Sequence, residues 1–387
     1  MTASGRVVVV GAGVTGASVA WHLARSGVSD VVVIDRAERP GLGSTGAATG
    51  GFRAQFASPV NVRLSLLARE KLLRFRDEVG ADPGYAPTGY LWLASSSAAL
   101  EALRAARRVQ IGCGLHEAVE VDAEDIRRLQ PAAAPDGIIG GAFCPSDGFL
   151  SPLAILNGYL EGAGREGVRL RWDEALERFE RHEDGRIRAV VTRQGSIACD
   201  AVVDAGGAWA AGIAALAGVE LPIAPLRRQV AMTIPTQELP PEAPMTIWCE
   251  DGFHVRAREG RALLAFPSAG DARNPWSVSV EPAWLREVAA HKDARVPRLA
   301  SVPIDPAACW AGLYEMTPDR HAILGAVESC PNLVVVAGSS GHGVMHAPAL
   351  GQLTAELLTT GAARSLDVRA LRPQRFAESA PNPPELL

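Results

Sequence analysis

The sequence is poor in lysine and has no closely spaced cysteines. Of its 38 basic residues only Lys71 and Lys292 are lysines, and all the others are arginines. The six cysteines stand at positions 113, 144, 199, 249, 309 and 330, and no pair has the C-x-x-C spacing of a zinc ribbon or a thioredoxin-type site. Such scattered thiols are typical of reduced, buried cysteines, so we expect a cytoplasmic protein without a metal site.

The chain also lacks a strong excess of charge and any long apolar run. Its 387 residues carry 38 Lys+Arg against 43 Asp+Glu, a formal net charge of −5, which argues against a nucleic-acid-binding protein and a polybasic membrane sensor. The most apolar stretches, such as 205–219, are shorter than the ~20 residues of a spanning helix, so no membrane span is predicted. We also expect no signal peptide, because the first predicted strand begins within a few residues of Met1.

The first 35 residues have the pattern of a strand, a helix and a second strand. Residues 6–10 and 31–34 are β-branched runs, typical of strands buried on both faces of a parallel sheet. Between them a helix is predicted from about residue 17 to residue 26, with Gly27 as its C-terminal cap. This unit predicts an α/β fold.

Later segments predict a second kind of sheet. Residues 225–315 contain short alternating apolar runs broken by proline and glycine, which is typical of an antiparallel sheet. Residues 333–336 return to the buried parallel-strand pattern, and a final helix is predicted to begin at Pro348, because proline favours the first helical position. The predicted fold class is therefore α/β, in the form of an α+β chain of two interleaved domains.

A glycine-rich turn lies directly between the first strand and the helix. Gly11, Gly13 and Gly16 form G-x-G-x-x-G, and Asp35 ends the second strand. The glycines permit a tight turn, close approach of a pyrophosphate and strand–helix packing, while Asp35 would accept hydrogen bonds from ribose hydroxyls. The pattern predicts a dinucleotide site, and the competing interpretation is a purely structural turn. NAD and FAD both stay open, although a small-residue loop through Gly43 follows in place of further short repeats.

Several short sequence blocks stand in a fixed order along nearly the whole chain. They are the fingerprint 11–35, the block 43–45 with Arg53 ten residues after Gly43, and the blocks 88–90, 200–209, 225–229, 310–319 and 336–345. Together they resemble the D-amino-acid oxidase/sarcosine oxidase superfamily (DAO family) of FAD-dependent enzymes. The nearest branch is that of sarcosine oxidase and the L-proline dehydrogenase β-subunit.

The resemblance implies FAD as the cofactor. Its adenosine diphosphate would lie on the glycine turn and Asp35, with the loops 43–45, 206–207 and 338–345 around the flavin. The positive N-terminus of the last predicted helix would stabilise the anionic reduced flavin, and the competing interpretation of that loop is an ordinary βα connection. The cofactor-binding residues implied are Gly11, Gly13, Val14, Thr15, Gly16, Asp35, Arg36, Gly43, Ser44, Thr45, Leu176, Gly206, Gly207, Trp209, Gly312, Gly338, Ser340, Gly341, His342, Gly343, Val344 and Met345.

The resemblance also implies how the two domains divide the chain. A Rossmann-like FAD-binding domain would comprise residues 1–80, 150–222 and 316–387. An antiparallel-sheet substrate-binding domain would comprise residues 81–149 and 223–315. The FAD-binding domain would then be assembled from three separated segments.

Five residues are candidates for the catalytic site: Arg53, His254, Tyr314, His342 and Met345. Arg53 matches the family position whose guanidinium binds the substrate carboxylate, a bidentate contact that suits arginine. Tyr314 matches an aromatic near the flavin, and a buried core tyrosine is the competing interpretation. His342 and His346 stand four residues apart, but a helix that begins after them argues against a metal pair.

Some positions depart from the family pattern. Met345 stands where monomeric sarcosine oxidases carry a carboxylate-binding lysine, and Tyr314 where glycine and D-amino-acid oxidases carry an arginine. The flavin-tethering cysteine and histidine of relatives align with Gly312 and Gly46, so noncovalent FAD is expected. Both lysines lie in predicted surface helices, which leaves no candidate for the lysine that promotes reaction with oxygen beside the flavin.

The resemblance implies an FAD-dependent amine or amino-acid oxidase or dehydrogenase. Hydride transfer to flavin N5 would oxidise the C–N bond of a secondary, N-methylated or cyclic amino acid, of the sarcosine or proline type, to an imine. The electron acceptor would be O2, a partner protein or a quinone, and the proline dehydrogenase branch works with partner subunits. Two alternatives stay open: an FAD oxidase of glycine, a primary D-amino acid or a 2-hydroxy acid, and a flavoprotein subunit with little turnover of its own.

Overall fold

The computed structural model describes residues 5–134, 136–268, 271 and 276–383. The strands are β1 (Val7–Val10), β2 (Val31–Ile34), β3 (Gly51–Phe52), β4 (Tyr90–Ala94), β5 (Val119–Val121), β6 (Gly140–Cys144), β7 (Gly148–Phe149), β8 (Arg169–Arg171), β9 (Leu176–Arg181), β10 (Ile187–Thr192), β11 (Gly195–Ala198), β12 (Ala201–Asp204), β13 (Ala224–Met232), β14 (Met245–Trp248), β15 (His254–Arg258), β16 (Arg261–Ala265), β17 (Trp310–Met316), β18 (Ile323–Val327) and β19 (Cys330–Ala337). The helices are α1 (Val14–Arg25), α2 (Ser44–Ala47), α3 (Pro59–Leu73), α4 (Phe75–Val79), α5 (Ser97–Gly112), α6 (Ala123–Leu129), α7 (Pro152–Arg165), α8 (Ala210–Leu216), α9 (Pro282–Arg295) and α10 (Gly343–Thr360).

A six-stranded sheet brings together three distant parts of the chain. Its strand order is β18-β19-β12-β1-β2-β8, and every neighbouring pair is parallel except β18 with β19. All four valines of β1 are buried, as the unbroken β-branched run predicted. Helices α1, α3, α7 and α10 cover one face, while α8 and the three-stranded sheet β9-β10-β11 cover the other. The predicted α/β fold with a Rossmann-like unit is confirmed.

An eight-stranded sheet forms the second layer, in the order β17-β13-β16-β15-β14-β4-β6-β5. Its neighbouring strands are antiparallel apart from one parallel pair, β4 with β14. The strands within 225–315 pair antiparallel with one another, as predicted. The parallel pair joins β14 to β4, which comes from a separate chain segment, so no hairpin sets their direction. The sheet draws on both 81–149 and 223–315, but the domain boundaries stay a prediction.

Two helical predictions are wrong. Helix α10 begins at Gly343 and includes Pro348, which the sequence placed at the start. The amide of His346 already donates to the His342 carbonyl at 3.1 Å, and a proline in the second turn removes one later backbone bond. Lys292 of α9 is buried rather than on the surface, because its Nζ donates to the Leu299 carbonyl at 2.5 Å. Among the described residues no helix is long and apolar enough to cross a membrane.

Candidate active site

A cavity of about 1160 Å³ lies between the carboxyl ends of β1 and β2 and the inner face of the eight-stranded sheet. Ligand pockets are usually ~300–1,000 Å³ in volume. The cavity therefore has room for a large cofactor and a small substrate side by side. All five predicted catalytic candidates line it, and so do the predicted cofactor residues other than Gly16 and Gly338.

Gly16 and Gly338 lie behind the cavity wall, where packing requires glycine. A Cβ on Gly16 would stand 1.9 Å from the Gly11 carbonyl oxygen, so this glycine permits contact between the helix and the turn. Gly338 has φ +76°, and its Cβ would stand 2.6 Å from Cγ2 of Thr317. Both glycines permit close packing behind the cavity wall, and their expected contact with the cofactor stays a prediction.

Asp35 fixes the backbone of the glycine turn after β1. Its Oδ2 accepts the amide of Ala12 at 2.6 Å and its Oδ1 accepts the amide of Ala37 at 2.8 Å. Gly11 has φ +104°, and a Cβ there would lie 2.5 Å from the Ala205 carbonyl oxygen. The carboxylate thus fixes the turn and leaves lone pairs at the cavity for ribose hydroxyls.

Three helices begin at the cavity: α1, α2 and α10. The N-cap residue of each makes no side-chain capping hydrogen bond, and none of the three has an acid in its first turn. The amide of Val14 donates to Oγ1 of Thr45 at 3.1 Å, which ties α1 to α2. Positive helix ends without an acidic partner favour an anionic ligand such as a diphosphate.

Two leucines of the cavity wall are exposed. Leu42 and Leu216 are 49% and 45% exposed and line the wall. The Arg36 guanidinium carbon lies 3.8 Å from the centroid of a Trp209 ring, and both of these residues also line the cavity. A flat purine would cover these groups, so the donors, helix ends and apolar wall together fit FAD.

Arg53 is fixed in the cavity wall by its neighbours. Its side chain is 7% exposed, Nη1 donates to the Gln55 carbonyl at 2.8 Å, and the guanidinium carbon lies 4.0 Å from the Phe56 ring centroid. Nη2 lies 3.1 Å from Nε2 of His342. Because a guanidinium only donates, Nε2 of His342 accepts, and a neutral His342 carries its proton on Nδ1.

Asp147 holds the backbone beside Arg53, and sequence reasoning missed it. Its Oδ1 accepts the Ala54 amide at 2.7 Å and its Oδ2 accepts Nε2 of Gln55 at 3.1 Å. Burial raises the pKa of Asp147 to about 6, against these hydrogen bonds and the charge of Arg53. Its signal was weak, since a single aspartate before a glycine is typical of any turn.

His254 presents an unprotonated nitrogen to the cavity. Its Nδ1 lies 2.9 Å from the Gly252 carbonyl, so Nδ1 donates and Nε2 is the acceptor of the neutral ring. Burial lowers the pKa of His254, and the charges of Arg228, Arg256 and Arg53 lower it further. A neutral imidazole between fixed cations can accept a hydrogen bond from an amine.

Tyr314 lies over the glycine loop that precedes α10. The side chain is 36% exposed and lines the cavity, so the interpretation as a buried core tyrosine is wrong. A Cβ on Gly341 would stand 2.4 Å from Cε2 of Tyr314, and glycine alone allows this contact. The Arg228 guanidinium carbon lies 5.6 Å from the Tyr314 ring centroid.

Sequence reasoning also missed Tyr90, Trp92, Arg228 and Glu315, which all line the cavity. Arg228 makes an ion pair with the buried Asp271 at 3.0 Å. The alternation along β13 would have placed Arg228 and Val230 on one face, but the sequence does not say which face meets a ligand. These side chains add one further cation and two aromatic rings to the wall.

His342 and His346 lie at the start of α10 and have separate partners. Their ring centroids are 5.8 Å apart, Nε2 of His342 faces Arg53, and Nε2 of His346 lies 2.8 Å from Oγ of Ser65. Burial lowers the pKa of His346 to about 3, with the charge of Arg53 acting in the same direction. Within the ranges described, no three His, Cys, Asp or Glu side chains are grouped to hold a metal ion.

Comparison with known proteins gives a consistent result. The family model DAO, FAD dependent oxidoreductase, matches residues 6–357. The chain is 27% identical to FAD-dependent oxidoreductase domain-containing protein 1 of Xenopus laevis, over 97% of this chain and 83% of that protein. It is also 27% identical to 4-methylaminobutanoate oxidase (formaldehyde-forming) of Paenarthrobacter nicotinovorans, over 96% of this chain and 46% of that protein, and so spans about half of that relative.

A solved structure, L-proline dehydrogenase from P. horikoshii, matches with a TM-score of 0.90 and 27% identity, over 99% of this chain and 100% of that chain. Iminodiacetate oxidase from Chelativorans sp. BNC1 matches with a TM-score of 0.81 and 23% identity over 95% and 99%, which shows a shared fold. The family model spans most of the residues that build the cavity. The protein therefore belongs to the DAO family of FAD-dependent oxidoreductases, and FAD is its cofactor.

Proposed function

We propose that the protein oxidises the C–N bond of a secondary, N-methylated or cyclic amino acid to an imine, which water then hydrolyses. The observation that carries this proposal is the Arg53 guanidinium, which is buried in the cavity wall and fixed by Gln55, Phe56 and His342. A guanidinium held in this way suits one planar carboxylate. Bound FAD supplies the two-electron acceptor of the reaction.

His254 and the apolar wall suit the other end of such a substrate. Nε2 of His254 would accept the amine N–H, which orients the nitrogen lone pair and favours the neutral amine. Met245, Ile247 and Met345 line the cavity as apolar groups. They offer a surface for an N-methyl group or a ring, where a charged side chain would be poorly solvated.

The names of several relatives favour this substrate class over primary amino acids. The 4-methylaminobutanoate oxidase, the dimethylglycine and sarcosine dehydrogenases and the L-proline dehydrogenase are all named for secondary or tertiary amines. Glycine oxidase of Bacillus licheniformis, which is 25% identical, is named for a primary amine. This chain has Tyr314 where the family resemblance implies an arginine in glycine and D-amino-acid oxidases.

The positions of the lysines favour a dehydrogenase that passes electrons to an acceptor other than O2. Lys71 lies on α3, 3.8 Å from a carboxylate oxygen of Glu78, and Lys292 is buried in α9. Neither lines the cavity. A noncovalent FAD and a partner protein or quinone as acceptor are part of this proposal.

An anaerobic titration followed in the flavin absorption band tests the proposal. Sarcosine, dimethylglycine, proline and 4-methylaminobutanoate are added to the FAD-loaded protein, with glycine, D-alanine and lactate as the competing classes. We expect bleaching by a secondary or cyclic amino acid, slow recovery in air and fast recovery with an artificial acceptor. Bleaching by the competing classes alone would assign the protein to them, and an unbleached flavin would favour a subunit without its own turnover.

A further inference from the structure

Arg228 is a second guanidinium of the cavity, and the proposed amine chemistry does not use it. It lies on β13, lines the cavity, and its side chain is 26% exposed. The adjacent Arg227 is buried, and its Nη2 donates to a carboxylate oxygen of Glu281 at 2.6 Å. Successive side chains of a strand point to opposite faces of the sheet. One arginine therefore pairs inside the fold, and the other faces the cavity.

A buried carboxylate fixes Arg228 without covering it. Asp271 is fully buried, and its Oδ2 accepts Nη1 of Arg228 at 3.0 Å, while its Oδ1 accepts Nε2 of Gln229 at 2.9 Å. Asp271 does not line the cavity. Among the described residues, the bond to Asp271 is the one hydrogen bond that the Arg228 side chain makes. A guanidinium has five N–H donors, so Arg228 keeps donors for a ligand.

The register of the eight-stranded sheet places the two arginines at opposite ends of one row. This row crosses five neighbouring strands and consists of Trp92, Ile247, His254, Ala265 and Val230. The Arg53 guanidinium carbon lies 5.1 Å from the Trp92 ring centroid, at one end. Arg228 stands two residues before Val230, at the other end. Because neighbouring strands are ~4.8 Å apart, the backbones at the two ends are about 19 Å apart.

His254 lies between the two arginines in this row. The charges of Arg228 and Arg53 both lower its pKa, so both guanidiniums are close enough to act on the ring. Two acids of the hairpin between β14 and β15 also line the cavity, but they have other partners. Glu250 accepts two backbone amides at 2.7 and 3.0 Å, and Asp251 accepts both terminal nitrogens of Arg295 at 2.7 Å.

We propose that Arg228 binds a second anionic group of the substrate, and that the substrate is a secondary amine with a carboxylate on each side of its nitrogen. This inference rests on the proposed function, in which Arg53 binds the first carboxylate and His254 accepts the amine N–H. Ile247 lies next to His254 in the row and offers an apolar surface to the methylene groups. Such a ligand has its anions and its amine in the order in which the cavity has its partners.

Binding of carboxylates that cannot be oxidised as amines tests this inference without turnover. The FAD-loaded protein is titrated with succinate, glutarate, adipate and pimelate, and with the monocarboxylates of equal chain length from butyrate to heptanoate. Each Kd is measured by calorimetry. We expect at least one dicarboxylate to bind about tenfold more tightly than its monocarboxylate, because it adds a charge-assisted contact. Equal Kd values in all four pairs would overturn the proposal.

Variants assign the gain in affinity to Arg228. Arg228→Gln keeps a donor for Asp271 and removes the charge, so it should abolish the gain and leave the Kd of the monocarboxylates unchanged. Arg258→Gln is the matched control, because Arg258 is a partly exposed arginine of β15 that does not line the cavity, and it should keep the gain. A gain that persists in Arg228→Gln overturns the assignment. An equal loss for both series, with a raised Kd of FAD, would also overturn it and assign Arg228 to the cofactor.

Arg53→Met separates this inference from the proposed function. If Arg53→Met leaves the Kd of the monocarboxylates unchanged, the proposed function loses its carboxylate site, while the comparison of the two series still reports on Arg228. If Arg53→Met weakens the monocarboxylates and no dicarboxylate shows a gain, only the second site fails. If Arg228→Gln does not take up FAD, the gain must fall in Arg228→Lys, and an unchanged gain there overturns the proposal.

Discussion

Replacement of Arg53 by methionine removes the guanidinium while keeping most of the stem volume. In the proposed function this arginine forms a buried pair with the substrate carboxylate, in a site where its own side chain is 7% exposed. Loss of one partner of a buried charge pair costs ~2–5 kcal/mol. At 1.4 kcal/mol per tenfold, substrate affinity should fall roughly 30- to 4,000-fold. Arg53→Lys keeps the charge but loses the planar guanidinium with its two parallel donors, so substrate affinity should fall less than in Arg53→Met.

The assay is anaerobic reduction of the bound flavin over a range of substrate concentrations. It separates the Kd from the limiting rate of reduction, and we expect the main change in the Kd. Arg25→Met is the matched control, because Arg25 is 58% exposed and pairs with Glu166 on the surface. FAD content and far-UV circular dichroism show whether the variants fold and load.

A pair of ligands decides whether Arg53 acts through the carboxylate. The same titration is run with the substrate and with an amine of equal shape that lacks the carboxylate. Arg53→Met should weaken binding of the substrate strongly and binding of the amine only slightly. Equal losses for both would mean that Arg53 only shapes the wall through Phe56 and His342, and the proposed role would be refuted.

Three further predictions concern the scaffold and the cofactor. Burial raises the pKa of Asp319, but the hydrogen bonds and the charge of Arg375 outweigh burial and lower this pKa to about 2. The ion pair therefore stabilises the fold above about pH 4, and this stabilisation is lost as pH falls toward 2. Asp319→Asn should lower the free energy of unfolding, measured with urea, by ~3–5 kcal/mol at pH 7. The difference from the wild type should be smaller at pH 3, and an equal difference at both pH values would contradict the prediction. Gly312→Val should raise the Kd of FAD roughly 5- to 100-fold, because even its Cβ would stand 2.7 Å from that of Ala47; an unchanged Kd would count against it. Asp35→Asn should raise the Kd of FAD about tenfold, because the amide has one acceptor oxygen for two backbone amides, and full affinity would show that the turn holds its shape alone.

Local signals predicted the dinucleotide half of the site. The valines of β1, the glycines at 11 and 13 and Asp35 each act on backbone within a few residues, so their effect is visible in the sequence. The family resemblance also selected Arg53, which stands ten residues after Gly43 and matches the family position that binds the substrate carboxylate. Of these residues, Val10, Gly11, Gly13, Asp35 and Arg53 line the cavity, and their individual roles stay proposals.

Long-range contacts were beyond sequence reasoning. His342 stands 289 residues after Arg53, and their contact depends on β19 joining the sheet between β18 and β12, just before the loop that carries His342. The start of α10 was predicted wrongly, since a proline is tolerated in the second turn where the neighbouring loop fixes the backbone. Lys292 was placed on the surface by its charge, but the carbonyl of Leu299 provides a buried acceptor that no local pattern predicts.

The near absence of lysine shapes how the site can respond to pH. The cations that line or adjoin the cavity are arginines, which stay charged at every working pH, so they set a constant potential. His254 lines the cavity as the proposed acceptor of the substrate amine, and burial lowers its pKa. The charges of Arg228, Arg256 and Arg53 lower this pKa further. His254 should therefore stay neutral to a lower pH than a free histidine, and amine binding should lose this hydrogen bond only in more acidic solution.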